Sequence, residues 1–288
     1  MTPSHWIAVV VGALVGSVAT ALIARVVVTR SVRRQHLAQR RAQAAERLAE
    51  VGAMTGGLAH EIKNPLSTIG MNAQLLSEGL DDLPRDRAPD EQDRQRLIRR
   101  VDALRRETDR LRGILEDFLE YAGELHLDRA GADLNTAVEE LADFFQPQAT
   151  SAGVRLRTEL APGPLTASLD VPHLKQAALN LMLNAVQAMD TRDNARAREL
   201  ILRTSRATDP DAQPVVRLHV IDTGPGIPEN ARATIFQPYF TTKSGGTGLG
   251  LPTSKRIAEA HHGRLEFHTD PAHGTEFTIT IPATQSSD

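Results

Sequence analysis

The sequence predicts an α plus α/β-sandwich protein. The order is an N-terminal transmembrane helix, an antiparallel helical hairpin that dimerises into a four-helix bundle, and a C-terminal α/β domain. Three observations carry this. An uncharged apolar run of about 19 residues lies near the start, long enough to cross the hydrocarbon core of a bilayer. Two long stretches of three- and four-residue apolar spacing follow, parted by one turn-rich segment. After Gly123, short apolar alternations and glycine clusters replace that texture.

The bulk properties fit such a chain. At 288 residues it is long enough for roughly two domains and an attachment. Its net charge of -3 gives no sign of a nucleic-acid partner, and none is expected. With no cysteine, disulfides, thiol catalysis and cysteine metal ligands are excluded. Aromatic residues are scarce, and alanine and arginine are plentiful, as in long helices.

Residues 1–29 are expected to be a transmembrane anchor. The run "WIAVVVGALVGSVATALIA", Trp6 to Ala24, holds no charge, and Arg25, Arg30, Arg33, Arg34, Arg40 and Arg41 follow it. A secretory leader carries its cations before the apolar run. Here they come after, which predicts a retained single-pass anchor with the rest of the chain in the cytoplasm, although "ATA" at Ala19 to Ala21 also resembles a cleavage site. Gly12 and Gly16 make a small-xxx-small pair that lets two such helices approach; glycine is also simply common in membrane helices. Residues 30–47 are basic and helix-prone, and read as a juxtamembrane signalling helix whose arginines face anionic membrane lipid.

Residues 48–124 form the expected hairpin. Leu48, Val51, Met54, Leu58, Ile62, Leu66, Ile69, Ala73 and Leu76 lie three or four apart and mark one stripe. "DDLPRDRAPDEQD" is the turn. Leu97, Val101, Leu104, Thr108, Leu111, Leu115, Phe118 and Ala122 then repeat four-three as a bundle seam. Two helices on one loop have little core of their own, so a homodimer is expected.

Within the first helix, "LAHEIKNPLSTI" places His60 at about 200° from Leu58, away from the stripe, with Asn64 beside it at about 240°. A lone surface histidine is usually only solvated. Here Glu61 is the neighbour that can hold the second ring proton of a nucleophilic imidazole, and Pro65 should bend the helix just below. The spacing is not the zinc motif HExxH, since Asn64 stands at the second ligand position.

Residues 130–284 read as one α/β domain. "VRLRTEL" and "PVVRLHVID" are strands, "HLKQAALNLMLNAVQAM" and "GLPTSKRIAEAHH" helices, and "RLEFHTD" with "TEFTITIP" a closing hairpin. "IDTGPGIP", Ile221 to Pro228, leaves a strand through a glycine turn. "TKSGGTGLGLP", Thr242 to Pro252, is a second cluster ahead of a helix. Glycines let backbone amides approach phosphates, and a helix N-terminus adds its positive end. Neither cluster is a Walker A or a Rossmann fingerprint. Asp222 at a strand end can accept from an adenine amino group, and Asn180 and Asn184, one helical turn apart, offer amide oxygens to a phosphate-bound magnesium ion.

Taken together, these motifs resemble those of the bacterial two-component sensor histidine kinases, with a HisKA-type hairpin and a Bergerat/GHKL-type ATP-binding α/β sandwich. "HEIKNP" is similar to the H box, "NLMLNAVQA" to the N box, "DTGPGI" to the G1 box, "FQPYFTTK" to the F box and "GTGLGL" to the G2 box, in family order. The resemblance implies His60 as phosphoacceptor, Glu61 as its base, and Asn64 in dephosphorylation of the partner, since H-E-x-x-N looks like the phosphatase-competent form of the box. It implies ATP and Mg²⁺ as cofactors, Asn184 as metal ligand with Asn180 near the phosphates, and Asp222 with Gly224, Gly226 and Ile227 at the adenine. It places Phe236 to Lys243 on the lid, with Thr242, Lys243, Gly246, Thr247, Gly248, Leu249 and Gly250 at the nucleotide. It implies a separate response-regulator receiver domain as partner, and a place in the bacterial inner (cytoplasmic) membrane. Gln187 departs from the pattern, where many relatives carry a basic residue. The alternatives are a GHKL-superfamily ATPase or protein-serine kinase, and a non-catalytic membrane scaffold.

Overall fold

The computed structural model describes residues 52, 54–83, 90–190, 197–243, 246–271 and 273–284. The expected transmembrane and juxtamembrane segments, and the start of the hairpin stripe at Leu48 and Val51, lie outside these residues. Among the described residues no helix is long and apolar enough to cross a membrane. The chain divides into two units, Met1–Gly56 and Gly57–Asp288. In the first, the described residues 52 and 54–56 are helical.

The second unit opens with helix α1, over 57–81, which runs unbroken through Pro65. Helix α2, Glu91–Ala122, returns alongside it. Asp90 caps α2 by accepting from the amide of Asp93, with Glu91 and Asp93 favourably placed in the first turn. The hairpin is pinned by a polar link: Arg100 donates to buried Asn72 across 3.3 Å, and Asn72 donates to the carbonyl of Thr68 at 2.9 Å. The expected single seam in fact divides. Leu97, Leu104, Leu111 and Phe118 are half-buried, and the fully buried members are Ile114 and Tyr121, which lie off the expected line. Val101, Thr108 and Leu115 on α2, with Leu66 and Ala73 on α1, stay exposed. One helix can cover only one side of another, so a stripe wide enough for two neighbours leaves half its width open in a single chain.

The rest of the unit is an α/β sandwich. Strand β1 (Ala130–Asp133) pairs antiparallel with β3 (Thr166–Leu169). A five-stranded sheet has the order β2-β4-β5-β7-β6, formed by Arg155–Glu159, Glu199–Thr208, Pro214–Asp222, Gly274–Pro282 and Arg264–Asp270. Only β2 and β4 run parallel; β6 and β7 form the closing hairpin expected from the sequence. Helices α3 (Leu134–Ser151), α4 (Val171–Met189) and α6 (Gly250–Ala260) supply the helical layer, and α5 (Glu229–Arg232) is one short turn. α3, β1, β3 and β4 are additional to the elements that the sequence predicts. The core lies between helices and sheet. Phe145, Leu174, Leu181 and Met182 meet alternate residues of the strands, among them Leu200, Leu202, Leu218 and Ile279. That alternation turns Arg203, His219 and Glu276 to the other, partly exposed face.

Candidate functional site

A cavity of about 360 Å³ opens among α4, the end of β5, the segment before α6 and the first turn of α6. Asn180, Asn184, Asp222, Gly226, Ile227, Thr242, Lys243, Gly246, Thr247, Gly248, Leu249 and Gly250 line it. Residues read separately along the chain are thus brought to one place.

The first wall is α4. Its cap, Asp170, is buried; the carboxylate accepts from the amides of His173 at 3.1 Å and Asp128 at 2.7 Å. The Asp170 amide donates to Nε2 of buried His261 at 2.9 Å, which fixes the start of α4 to the end of α6. Leu174, Ala177, Ala178, Leu181 and Met182 face the core, and this leaves Asn180 and Asn184 half-buried on the cavity edge.

The opposite wall is the end of β5. Asp222 pairs with Thr275 of β7. Its Oδ1 accepts from the amides of Gly224 at 2.8 Å and Thr275 at 3.3 Å. Burial pushes its carboxyl up to about 6 against those hydrogen bonds and the nearby charge of Lys243. Gly224 acts through Asp222 and does not line the cavity. A Cβ on Gly274 would fall 2.0 Å from the carbonyl oxygen of Asp222, at φ +99°, so the strand pair needs glycine there.

Between the walls sits a cation seat. Lys243 Nζ donates to the carbonyl of Asn184 at 3.0 Å, to Asn184 Oδ1 at 3.1 Å and to Gln187 Oε1 at 3.1 Å. Burial lowers the lysine's affinity for its proton, opposed by the Asp222 carboxylate. Three converging oxygens, all from neutral groups, make a donor set that also suits a hard divalent cation sharing its charge with phosphate. The residues therefore fit magnesium.

His60, Glu61 and Asn64 lie apart from the cavity, on α1. His60 and Asn64 are both exposed. Glu61 is half-buried and turned toward α2, with its carboxylate 3.8 Å from the Arg110 guanidinium. One turn before His60, Gly57 carries the ring of Tyr239; a Cβ there would lie 2.7 Å from that ring. The segment before α6 thus packs on α1 close to the histidine.

The sequence reading missed several lining residues. Thr275 and Phe277 belong to the strand hydrogen-bonded to β5, and no local pattern gives that register. Asp117 and Glu120 reach the cavity from α2, where they look like ordinary surface charges of a bundle helix.

Comparison with known proteins agrees with the two-part architecture. Residues 50–123 match the family described as His Kinase A (phospho-acceptor) domain. Residues 169–285 match the family described as histidine kinase-, DNA gyrase B-, and HSP90-like ATPase. The chain is 33% identical to the signal transduction histidine-protein kinase AtoS of Escherichia coli K12, over 85% of this chain and 37% of that protein. It is 30% identical to the sensory histidine kinase/phosphatase NtrB of Escherichia coli O157:H7, over 86% of this chain and 66% of that one. It therefore spans about a third to two thirds of these relatives. Among solved structures it resembles histidine kinase ThkA in complex with response regulator protein TrrA, with a TM-score of 0.64 and 26% identity over 84% of this chain and 65% of that one.

Proposed function

The chain belongs to the two-component sensor histidine kinases, and on that premise we propose that it transfers the γ-phosphoryl group of ATP to His60 and then to an aspartate of a separate response regulator. The observation that carries this is the one cavity gathering Asn180, Asn184 and Asp222 with Gly226, Gly246, Gly248 and Gly250, in a chain that also exposes His60 on a helical hairpin.

The parts take these roles. The Asp222 carboxylate, held by two backbone amides, accepts from the adenine amino group. Gly226 and Ile227 wall the base. The amides of Gly246 to Gly250 and the N-terminus of α6 receive the phosphates. Asn184, with Gln187 beside it, would hold magnesium, which supplies charge neutralisation across the phosphates when bound. Catalysis then rests on positioning: the His60 imidazole attacks in line, Glu61 would take up its other N–H on turning away from Arg110, and ADP leaves with the electron pair of the broken P–O bond.

Three further readings complete the proposal. The first is a homodimer, supported by the exposed apolar faces that the hairpin leaves at Leu66, Leu80, Val101, Leu115 and Leu119. Val101→Asp with Leu115→Asp is expected to convert the dimer to monomer at micromolar concentration, read by light scattering; an unchanged mass contradicts this face. The second is a single-pass anchor in the bacterial cytoplasmic membrane with the catalytic part in the cytoplasm, supported by the uncharged run Trp6 to Ala24 and the arginines after it. The third is phosphatase activity through Asn64. It is exposed one turn from His60, where a docked regulator meets both, and an amide side chain can orient the attacking water. NtrB, named a kinase/phosphatase, is a relative that supports it.

Asn64→Ala should leave His60 labelling within a few-fold while lengthening the lifetime of the phosphorylated regulator. Collapse of labelling, or an unchanged lifetime, would remove the assignment. The transfer itself is tested by mixing the phosphorylated chain with purified receiver domains: the label should move to one of them within minutes and leave His60.

A further inference from the structure

We propose that Asp117 of α2 sits in the phosphate seat of the glycine-rich segment, so that docking of that segment on the hairpin and binding of nucleotide exclude each other. The inference rests on the ATP reading above and adds a coupling to it.

The Thr247 hydroxyl donates to Asp117 Oδ2 at 2.7 Å, joining residues 130 positions apart. Thr247 stands between Gly246 and Gly248, in the motif assigned to the phosphates, and both Asp117 and Thr247 line the nucleotide cavity. A carboxylate is the side chain closest to a phosphate in its acceptor chemistry: two anionic oxygens that take hydroxyl and amide donors. Glu120, one turn further along α2, faces the same cavity, and its carboxyl is raised by burial and by the charge of Asp117. The hairpin thus aims two carboxylates at the place where a polyphosphate would lie. Like charges there oppose nucleotide binding while this docking holds.

A second attachment does not involve the phosphate seat. Arg256 of α6 donates to the carbonyls of Tyr121 and, at 3.1 Å, Gly123, and its guanidinium lies 5.0 Å from the centre of the Tyr121 ring. When phosphate displaces Asp117, the contact at Arg256 remains as a pivot and the glycine-rich segment is released from α2. Nucleotide binding in this way frees the segment that packs beside His60 through Tyr239 and Gly57. Lys243 on the three α4 oxygens completes the arrangement: an ammonium stands where the metal would bind, and a carboxylate where the phosphate would.

The test uses the full chain in lipid nanodiscs. Mg²⁺ with a non-hydrolysable ATP analogue is titrated by calorimetry, and hydrogen–deuterium exchange of residues 246–249 is followed without nucleotide. Asp117→Asn keeps an acceptor oxygen and loses the charge. It should bind the analogue about three- to tenfold more tightly, as expected when a binding-incompetent population is relieved, and its 246–249 amides should exchange faster. Asp117→Glu should return toward the parent, and Glu116→Gln, an exposed neighbour with the same change in charge, should stay within about twofold. Unchanged or weaker binding by Asp117→Asn, or tighter binding with unchanged exchange, overturns the latch and leaves the kinase reading standing. Failure of the parent chain itself to bind the analogue overturns the kinase reading instead.

Discussion

Asp222→Asn is expected to abolish ATP binding while making the nucleotide-free chain more stable. The two effects have one cause. Asp222 is 4% exposed, and burial raises its carboxyl to about 6 from an ordinary value of 3.8. The folded state therefore holds a proton that the unfolded chain has already released. Its penalty begins as pH rises past the unfolded value and is complete above the folded one. At pH 8 the ionised group costs up to about 3 kcal/mol; at pH 4 it costs close to nothing. Asparagine keeps Oδ1 for the amides of Gly224 and Thr275 but presents an NH₂ to the adenine amino group, donor against donor. The melting temperature should rise at pH 8 and stay level at pH 4, with no detectable nucleotide binding at either. For the parent, ATP affinity should fall as pH drops through about 6, because protonation removes the acceptor. A variant that binds ATP like the parent would remove Asp222 from the adenine site.

Gly248→Ala is expected to be the most damaging of the glycine substitutions around the phosphates. At φ +67° a Cβ would lie 2.6 Å from the backbone carbon of Tyr239 and 2.8 Å from the nitrogen and oxygen of Phe240. Backbone cannot swing aside as a side chain can. The conformational strain alone is about 1–3 kcal/mol, a loss of roughly tenfold or more in nucleotide affinity. Gly246→Ala meets only the hydroxyl of exposed Thr241, also at 2.8 Å, and should be milder. Equal affinities for the two variants, measured by calorimetry, would contradict this account of the segment before α6.

Much of the site was legible because its chemistry is local. "DTGPGI" and "GTGLGL" carry their glycines where the backbone turns sharply, and Gly226 and Gly248 both take positive φ. Asn180 and Asn184 could be read as one helical face, and His60 as an outward position, from periodicity alone. Elements set by tertiary context were not legible. The strand β4, "ELILRTSRAT", alternates buried and half-buried residues over most of its length but is rich in charge, so its place inside the sheet, between β2 and β5, does not show in the sequence. The seam of α2 was read as one stripe and is shared between the partner helix and an exposed face, a division that depends on where α1 lies. The reach of Lys243 to Asn184 and Gln187, and of Asp117 to Thr247, joins residues 56 to 130 positions apart and has no sequence signature. It also gives Gln187, which stands where many relatives carry a basic residue, a place: it receives an ammonium borne by the segment opposite.

The central claim is that this cavity serves His60. Its most direct test is incubation of the full chain with γ-labelled ATP and magnesium, comparing the parent with His60→Gln. The account predicts a label on the parent that survives base and is lost in acid, and no label on His60→Gln, whose binding of the ATP analogue stays equal to the parent's. Full labelling of His60→Gln, or an acid-stable product, would contradict it.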